Sequence, residues 1–341
     1  MKILGIESSC DECAAAVVED GKQVLSNIVA TQIPFHARYN GVVPEIASRM
    51  HTEWIYSVVE EALNTANLGP ADIEGVAATA QPGLLGSLLV GLNFAKAFAW
   101  ARQIPFIAVD HMLAHLYASQ LTDVEVSYPF LGLLASGGHS IICRVDAFDM
   151  VSVLGTTIDD AVGEAFDKVS KHYGFGYPGG AVIDKLAKNG DDSAFDFPLP
   201  SLHKGQHRYD VSYSGLKTAV INQLEQFRRK GTTASDTETA NIAASFQKTA
   251  VEILLRALFR AVKDTGLTSI VAGGGVAANS YLRSRLAECR ELRCIFPPLN
   301  LCGDNGAMIA GLGYQYLARG DKSPLNVVVS ARVKAFKRPY R

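Results

Sequence analysis

Two rhythms of hydrophobic residues alternate along the chain. Short, nearly uninterrupted apolar runs give way to stretches in which apolar residues recur every three to four positions. The first kind reads as buried strands and the second as amphipathic helices. Residues 2–9 read as a buried strand entering a polar turn, and 14–19 as the returning strand. Residues 130–135, the small polar turn Ser136-Gly137-Gly138-His139-Ser140 and residues 141–145 repeat that design. Strands alternating with helices follow each hairpin, which predicts mainly parallel pairing with helices on both sheet faces. A duplicated α/β domain accounts for the echo.

Between the hairpins a helix is predicted over 49–67, where Ile55, Val58, Val59, Ala62 and Leu63 share one face ahead of a Gly69-Pro70 stop. A strand follows over 73–79, and the turn Gln81-Pro82-Gly83 leads into a long helix from Leu84. Another strand covers 105–109, with Asp110 as N-cap of a helix carrying His111 and His115. Farther on, 239–265 reads as a long helix, because Ile242, Phe246, Ala250, Ile253 and Leu254 lie on one side. Residues 269–272 form a strand running into Gly273-Gly274-Gly275. Asp304 is placed at the N-cap of a final helix through Leu317, closed by Gly320. Residues 189–214 look like an irregular excursion. The lobes are expected at 1–118, completed by a C-terminal helix within 305–330, and at 119–304, with a basic tail over 331–341.

At 341 residues two domains are the natural expectation. With 48% hydrophobic and 19% charged residues, the composition suits a well-buried α/β protein and excludes a disordered one. The balance of 32 basic against 34 acidic residues gives no global sign of nucleic-acid binding. The C-terminal stretch does carry Arg332, Lys334, Lys337, Arg338 and Arg341 with no acid, either a solvated tail or a strip for RNA phosphates. No targeting segment is visible, since Lys2 and Glu7 interrupt the apolar start. The apolar stretch 84–101 contains Ser87, Asn93 and Lys96 and reads as a helix buried in protein, not a membrane span. Six cysteines without framework spacing point to a reduced, cytoplasmic compartment.

The candidate chemistry centres on His111 and His115, one helical turn apart and therefore on one face, about 6 Å along the axis. A carboxylate from a remote segment, such as Asp304, would complete three ligands of a metal site with open positions. Ser136-Gly137-Gly138 lets backbone N–H groups approach an anion, or is a plain hairpin turn. The glycine run Gly273-Gly274-Gly275 ahead of Asn279 suits close contact with a nucleotide, although its spacing does not match a dinucleotide fingerprint. Asp167 and Asp184, near Tyr177-Pro178-Gly179-Gly180, are surface acids or a grip on ribose hydroxyls. Asp11 and Glu12, beside Ser8-Ser9-Cys10, are solvated turn acids or proton acceptors for an amine nucleophile.

These runs, together with Asp110-His111-Met112-Leu113-Ala114-His115, Gly163-Glu164-Ala165-Phe166-Asp167-Lys168, Ser214-Gly215-Leu216-Lys217-Thr218 and Asp304-Asn305-Gly306-Ala307-Met308, occur in order over nearly the whole chain. The sequence resembles the TsaD family of tRNA threonylcarbamoyladenosine transferases, bacterial relatives of the KEOPS catalytic subunit. The resemblance implies an ASKHA-type α/β fold, two ribonuclease-H-like lobes with the active site in the cleft between them. It implies transfer of a threonylcarbamoyl group from threonylcarbamoyl-adenylate to the exocyclic amine of the adenosine 3′ of the anticodon. It also implies one divalent ion per subunit, Fe2+ first with Zn2+ or Mg2+ as alternatives, on His111, His115 and Asp304. Leu134, Ala135, Ser136, Gly137, Gly138, Asp167, Gly180, Asp184 and Asn279 would contact the adenylate. In such a site Asp11 or Glu12 is expected as the catalytic group that helps the amine lose its proton. The implied partners are tRNA, a TsaC-type synthase supplying the adenylate, and TsaB- and TsaE-type proteins, with no membrane. Cys13 and Gly303 replace the threonines usual in relatives. Leu134 stands where archaeal relatives have a tyrosine ligand, so a fourth position falls to substrate, water or His139.

Two other readings compete. An ASKHA-type ATPase or kinase would hold magnesium mainly through phosphates and carboxylates, which two histidines suit less well than iron or zinc. A metalloprotease of the H-E-x-x-H type needs a glutamate where Met112 stands.

Overall fold

The structure is a computed structural model, described for residues 1–39, 41–200, 202, 204–229 and 235–332. The first half runs β1 (Lys2–Glu7), β2 (Glu12–Glu19), β3 (Gln23–Thr31), α1 (Ile33–His36), α2 (Pro44–Thr65), β4 (Gly75–Gln81), α3 (Leu85–Arg102), β5 (Phe106–Asp110) and α4 (His111–Tyr117). The second half runs β6 (Phe130–Ala135), β7 (Ser140–Ala147), β8 (Met150–Thr156), α5 (Val162–Tyr173), α6 (Gly179–Ala187), α7 (Ser214–Arg229) and α8 (Asp236–Thr265). It closes with β9 (Ser269–Gly273), α9 (Ser280–Ala287), β10 (Arg293–Ile295) and α10 (Gly306–Ala318).

Each half builds one five-stranded sheet, ordered β3-β2-β1-β4-β5 and β8-β7-β6-β9-β10. The two orders are the same design shifted by five strands, which makes the duplication explicit. In each sheet the first three strands form an antiparallel meander and the last two add in parallel. The sheets are thus evenly mixed, not mainly parallel. Tight turns force antiparallel neighbours, whereas the crossovers through helices allow parallel ones. The strands that tip the balance, β3 and β8, are only partly buried and lack the apolar runs of the others.

Side-chain alternation explains the layering. Leu4 and Ile6 face α2 and α3, packing with Ile55, Val58, Val59 and Leu92. Ile3 faces the other way, against Ala307, Met308 and Ile309 of α10 and Leu113 and Tyr117 of α4. Leu131, Leu133 and Ala135 of β6 meet Phe166 of α5 and Phe246 and Leu254 of α8. Phe130 and Leu134 meet Met112 and Leu116 of α4. Helix α4 is therefore wedged between the sheets, while α10, from the second half, lies on the first sheet. This is the ASKHA-type architecture that the resemblance implies.

Gly5 is a close strand–helix approach: a Cβ there would lie 2.3 Å from the Gly306 carbonyl oxygen and 2.4 Å from the Ala310 nitrogen. That proximity fixes the start of α10 over β1.

Several boundaries differ from the periodicity reading. Helix α2 starts at Pro44 because proline at the first position needs no N–H partner. The last helix is capped by Asn305, not Asp304: the Asn305 Oδ1 accepts from the Met308 N–H at 2.9 Å. Helix α10 ends at Ala318, and the chain then returns beside the first sheet, with the Ser323 N–H donating to Phe106 O and that of Ser330 to Ala80 O. Among the described residues of 189–213 regular structure is limited to a short turn of helix at Gly205–His207 and an isolated bridge from Val211 to Thr157, and Ser214 already begins α7. Lys334, Lys337, Arg338 and Arg341 of the basic tail lie outside the described residues. Among the described residues no helix is long and apolar enough to cross a membrane.

Candidate metal centre and cleft

The Asp110 side chain accepts hydrogen bonds from the N–H groups of Met112 (2.9 Å) and Leu113 (3.2 Å). This cap starts α4 at His111, so both histidines leave one buried face of the first two turns. Their rings meet edge to face with centroids 4.5 Å apart. Asp304 immediately precedes the Asn305 cap, and its own side chain is left free for other contacts. Its Oδ1 lies 3.1 Å from His115 Nε2 and 3.5 Å from His111 Nε2. The ligand atoms of His111, His115 and Asp304 all lie within 4.8 Å of one another, the one such grouping of three among the described residues.

A second carboxylate stands behind His111. Glu7 Oε2 is 2.9 Å from His111 Nδ1, and accepts from the Thr79 hydroxyl at 2.6 Å. The other Glu7 oxygen accepts from the Ser9 N–H at 2.5 Å. Glu7 is fully buried. Burial works against its ionisation, but the charge and hydrogen bond of His111 hold its carboxyl below the usual range. Burial would likewise lower His111, yet Glu7 and Asp304 push it up to about 9. For Asp304, burial is outweighed chiefly by His111 and His115, which bring it down to about 2.

Asp304 thus closes a small volume lined by two imidazole rings, with Glu7 on the far side of His111. Two imidazoles and a carboxylate, with a further carboxylate orienting one ring, are the donor set of an iron or zinc site. The residues present fit a divalent cation. No motif spacing marks Glu7 for this role; its one signal is an acid closing an apolar strand.

The centre opens on a cleft of two adjoining cavities, of about 700 Å³ and 640 Å³. Asp11, Ser136, Gly137, Asp167, Tyr177 and Asp304 line both. Glu12, Gly180, Asp184 and Asn279 face only the larger, and Gly138, His111 and His139 only the smaller. Leu134 and Ala135 line neither, being buried strand residues beneath the Ser136 turn. Only their backbone groups could reach a ligand.

The carboxylates of the larger cavity are held in place. Asp167 Oδ1 accepts from the Gly179 N–H at 2.7 Å, and Asp184 Oδ1 accepts from the Ser280 hydroxyl at 2.7 Å. Asn279 caps α9 through the Leu282 N–H (2.9 Å) and donates to Gln247 (2.8 Å). Burial, then Asp304 and Asp11, push Glu12 up to about 10. Burial, then His111 and His115, bring His139 down to about 4.

A family model described as TsaD, tRNA N6-adenosine threonylcarbamoyltransferase, matches residues 23–311. Curated relatives carry the same enzyme name. One from Treponema denticola is 67% identical over 341 residues, covering all of both chains. One from Treponema pallidum is 57% identical over 336 residues, or 98% of this chain and 94% of the relative. One from Borreliella burgdorferi is 51% identical over 341 residues, or 100% and 97%. Among solved structures, full-length HypF in a phosphate- and nucleotide-bound form superimposes with TM-score 0.62 at 16% identity, covering 94% of this chain and 47% of that one. Component A of the Acidaminococcus fermentans (R)-2-hydroxyglutaryl-CoA dehydratase gives 0.56 at 14%, covering 93% and 99%. These two likenesses are of fold alone.

Proposed function

Since the chain belongs to the TsaD family and is a tRNA N6-adenosine threonylcarbamoyltransferase, we propose that its cleft carries the acyl group between two bound nucleotides. The donor is threonylcarbamoyl-adenylate, and the acceptor is the exocyclic amine of the tRNA adenosine 3′ of the anticodon. The observation that carries this reading is the shared wall of Asp11, Ser136, Gly137, Asp167, Tyr177 and Asp304 between two cavities, each large enough for a nucleoside.

In this reading the larger cavity takes the adenylate. Asn279 and Asp184 stand at its base and ribose end, Asp167 and Gly180 beside them, and the Ser136-Gly137-Gly138 turn offers the Gly137 and Gly138 N–H groups to the phosphate, the Ser136 N–H being taken by His139 O. Leu134 and Ala135 contribute backbone only. The smaller cavity takes the acceptor adenine.

His111, His115 and Asp304 would hold one divalent cation, Fe2+ in first place and Zn2+ or Mg2+ as alternatives. When bound, that ion supplies positive charge against the donor's oxygens and the departing phosphate. Glu7 fixes the His111 ring so that Nε2 faces the cleft. Transfer forms a bond from the adenine amine nitrogen to the carbamoyl carbon and breaks the bond from that carbon to the phosphate oxygen, which leaves on AMP with the electron pair. Asp11 or Glu12 takes the proton that the amine loses; Glu12, kept protonated at neutral pH by burial and by Asp304 and Asp11, does so only after giving up its own proton.

We place the lobe boundary between 118 and 119, with the C-terminal region completing the first lobe. A TsaC-type synthase would supply the adenylate, TsaB- and TsaE-type proteins would assist, and the compartment would be the cytoplasm. The test is mass analysis of tRNA nucleosides after incubation with threonine, bicarbonate, ATP and those partners. Threonylcarbamoyladenosine that forms only when this chain is present is the expected product. Its absence would overturn the reading.

A further inference from the structure

The turn that presents Asp11 and Glu12 is held through three consecutive carbonyls by three different elements. Ser9 O accepts from the Leu84 N–H at 2.8 Å, and Asp11 O from the Gln32 N–H at 3.0 Å. Cys10 O, between them, accepts from a side chain, His51 Nε2, at 2.9 Å. His51 sits in the second turn of α2 and is fully buried. Because a carbonyl only accepts, the ring proton is on Nε2. Its Nδ1 is left buried without a partner. A buried polar atom without a partner costs stability, so packing alone does not account for histidine here.

A second tie runs parallel to the first. Gln32, whose N–H holds Asp11 O, donates its side-chain amide to Ala47 O of α2 at 3.3 Å and meets His36 Nε2 at 3.1 Å. The turn is therefore anchored to α2 through two neighbouring points, and of these two only His51 acts through its ring.

We propose that His51 is a positioning residue for acyl transfer: by clamping the Cys10 carbonyl it aims the Asp11 and Glu12 carboxylates at the acceptor amine without touching either substrate. This rests on the reading that the turn faces the reacting amine. Losing the clamp lets the turn rotate about the two remaining carbonyl contacts. Misplacement by a fraction of an ångström to an ångström lowers turnover, while donor binding, whose assigned contacts such as Asp167, Asp184 and Asn279 come from the second half of the chain, is largely kept.

The test compares His51→Met, which keeps volume but removes the donor, with His51→Gln, whose amide nitrogen reaches to about the place of Nε2. Steady-state transfer from synthetic threonylcarbamoyl-adenylate to tRNA is measured for both. His51→Met is expected to lose about tenfold to a hundredfold in kcat, with KM for the adenylate changed less than about twofold. His51→Gln is expected to recover most of that loss. Wild-type turnover in His51→Met, or an equal loss in both variants, would overturn the proposal. If His51→Met does not fold, His51→Asn replaces it, because its amide falls a methylene short. His51→Asn is then expected low beside an active His51→Gln, and equal turnover of those two overturns the proposal. An inactive wild type would sink the site reading together with this inference, whereas an active wild type with an unaffected His51→Met sinks the inference alone.

Discussion

Nε2 of His115 lies 3.1 Å from Oδ1 of Asp304, a contact that closes across 189 residues of chain. Two helix caps make it possible. Asp110 starts α4 so that His115 meets Asp304, and Asn305 takes the capping position of α10, freeing the acid before it. Each of these helices follows the last strand of its half, and both pack on the first sheet. The duplicated topology therefore brings two equivalent junctions together, and the candidate metal centre forms where they meet.

Glu7→Gln is expected to weaken metal binding by roughly tenfold to a hundredfold, the usual effect of losing a carboxylate that orients a ligating imidazole. Titration of the metal-free protein with Zn2+ against a competing chelator reads this directly. Wild-type affinity in the variant would show that Glu7 does not orient His111.

Replacing Asp11 and Glu12 singly by alanine should separate chemistry from binding. Turnover is expected to fall by about 10²–10⁴ for whichever residue takes the proton, since a positioned base contributes on that order. Affinity for a non-reactive adenylate analogue should change far less. Unchanged turnover in both variants would remove these residues from the chemistry.

Gly5→Ala tests the seating of α10. The added methyl would meet the backbone of Gly306 and Ala310 well inside contact distance, and neither atom can swing aside. A loss of about 1–3 kcal/mol or more is expected in urea unfolding, as for other overpacked cores. Gly137→Ala is the contrasting control, since a methyl added there at the cleft turn would meet nothing within 4 Å. It should leave stability unchanged. Equal stability of Gly5→Ala and wild type would contradict the close approach.

Asp159 ties the loop before α5 to the start of α7, accepting from Ser212 Oγ (2.5 Å), Tyr213 N (2.8 Å), Ser214 Oγ (2.8 Å) and Ser214 N (3.4 Å). Burial opposes ionisation, but these donors outweigh it and hold the carboxyl below its usual range. A depressed folded-state pKa means the stabilisation is present above the unfolded value of about 3.9 and is lost as pH falls through the folded value. The melting-temperature gap between wild type and Asp159→Asn should therefore be open at pH 6 and close progressively below about pH 4. The side chain is partly solvated, so the gap should be small. A gap independent of pH would contradict the assignment.

Much of this is legible in the residues themselves. The apolar runs of β1, β6 and β9 and the helical spacing of α2 and α8 sit where the pattern places them, because those elements are buried on a regular period. Strands β3 and β8 escape it because half-exposed meander strands carry no apolar run. The cap of α10 falls one residue beyond the position the pattern favours because Asp304 and Asn305 are both good cap formers. Only the buried contacts of Asn305 with Leu301 O and Gly303 O decide between them. His111 and His115 announce a shared face, but the approach of Glu7, Thr79 and His51 depends on packing between distant segments that no local pattern encodes.

In the proposed site His111, His115 and Asp304 jointly grip a cation at the cleft. Metal analysis by mass spectrometry, after loading with Fe2+ under anaerobic conditions and desalting, tests it on wild type, His115→Ala and Asp304→Ala. About one ion per wild-type chain and a large loss in both folded variants is the expected result, as for a site left with two ligands. A wild-type chain that retains no metal, or variants that retain it fully, would contradict the account.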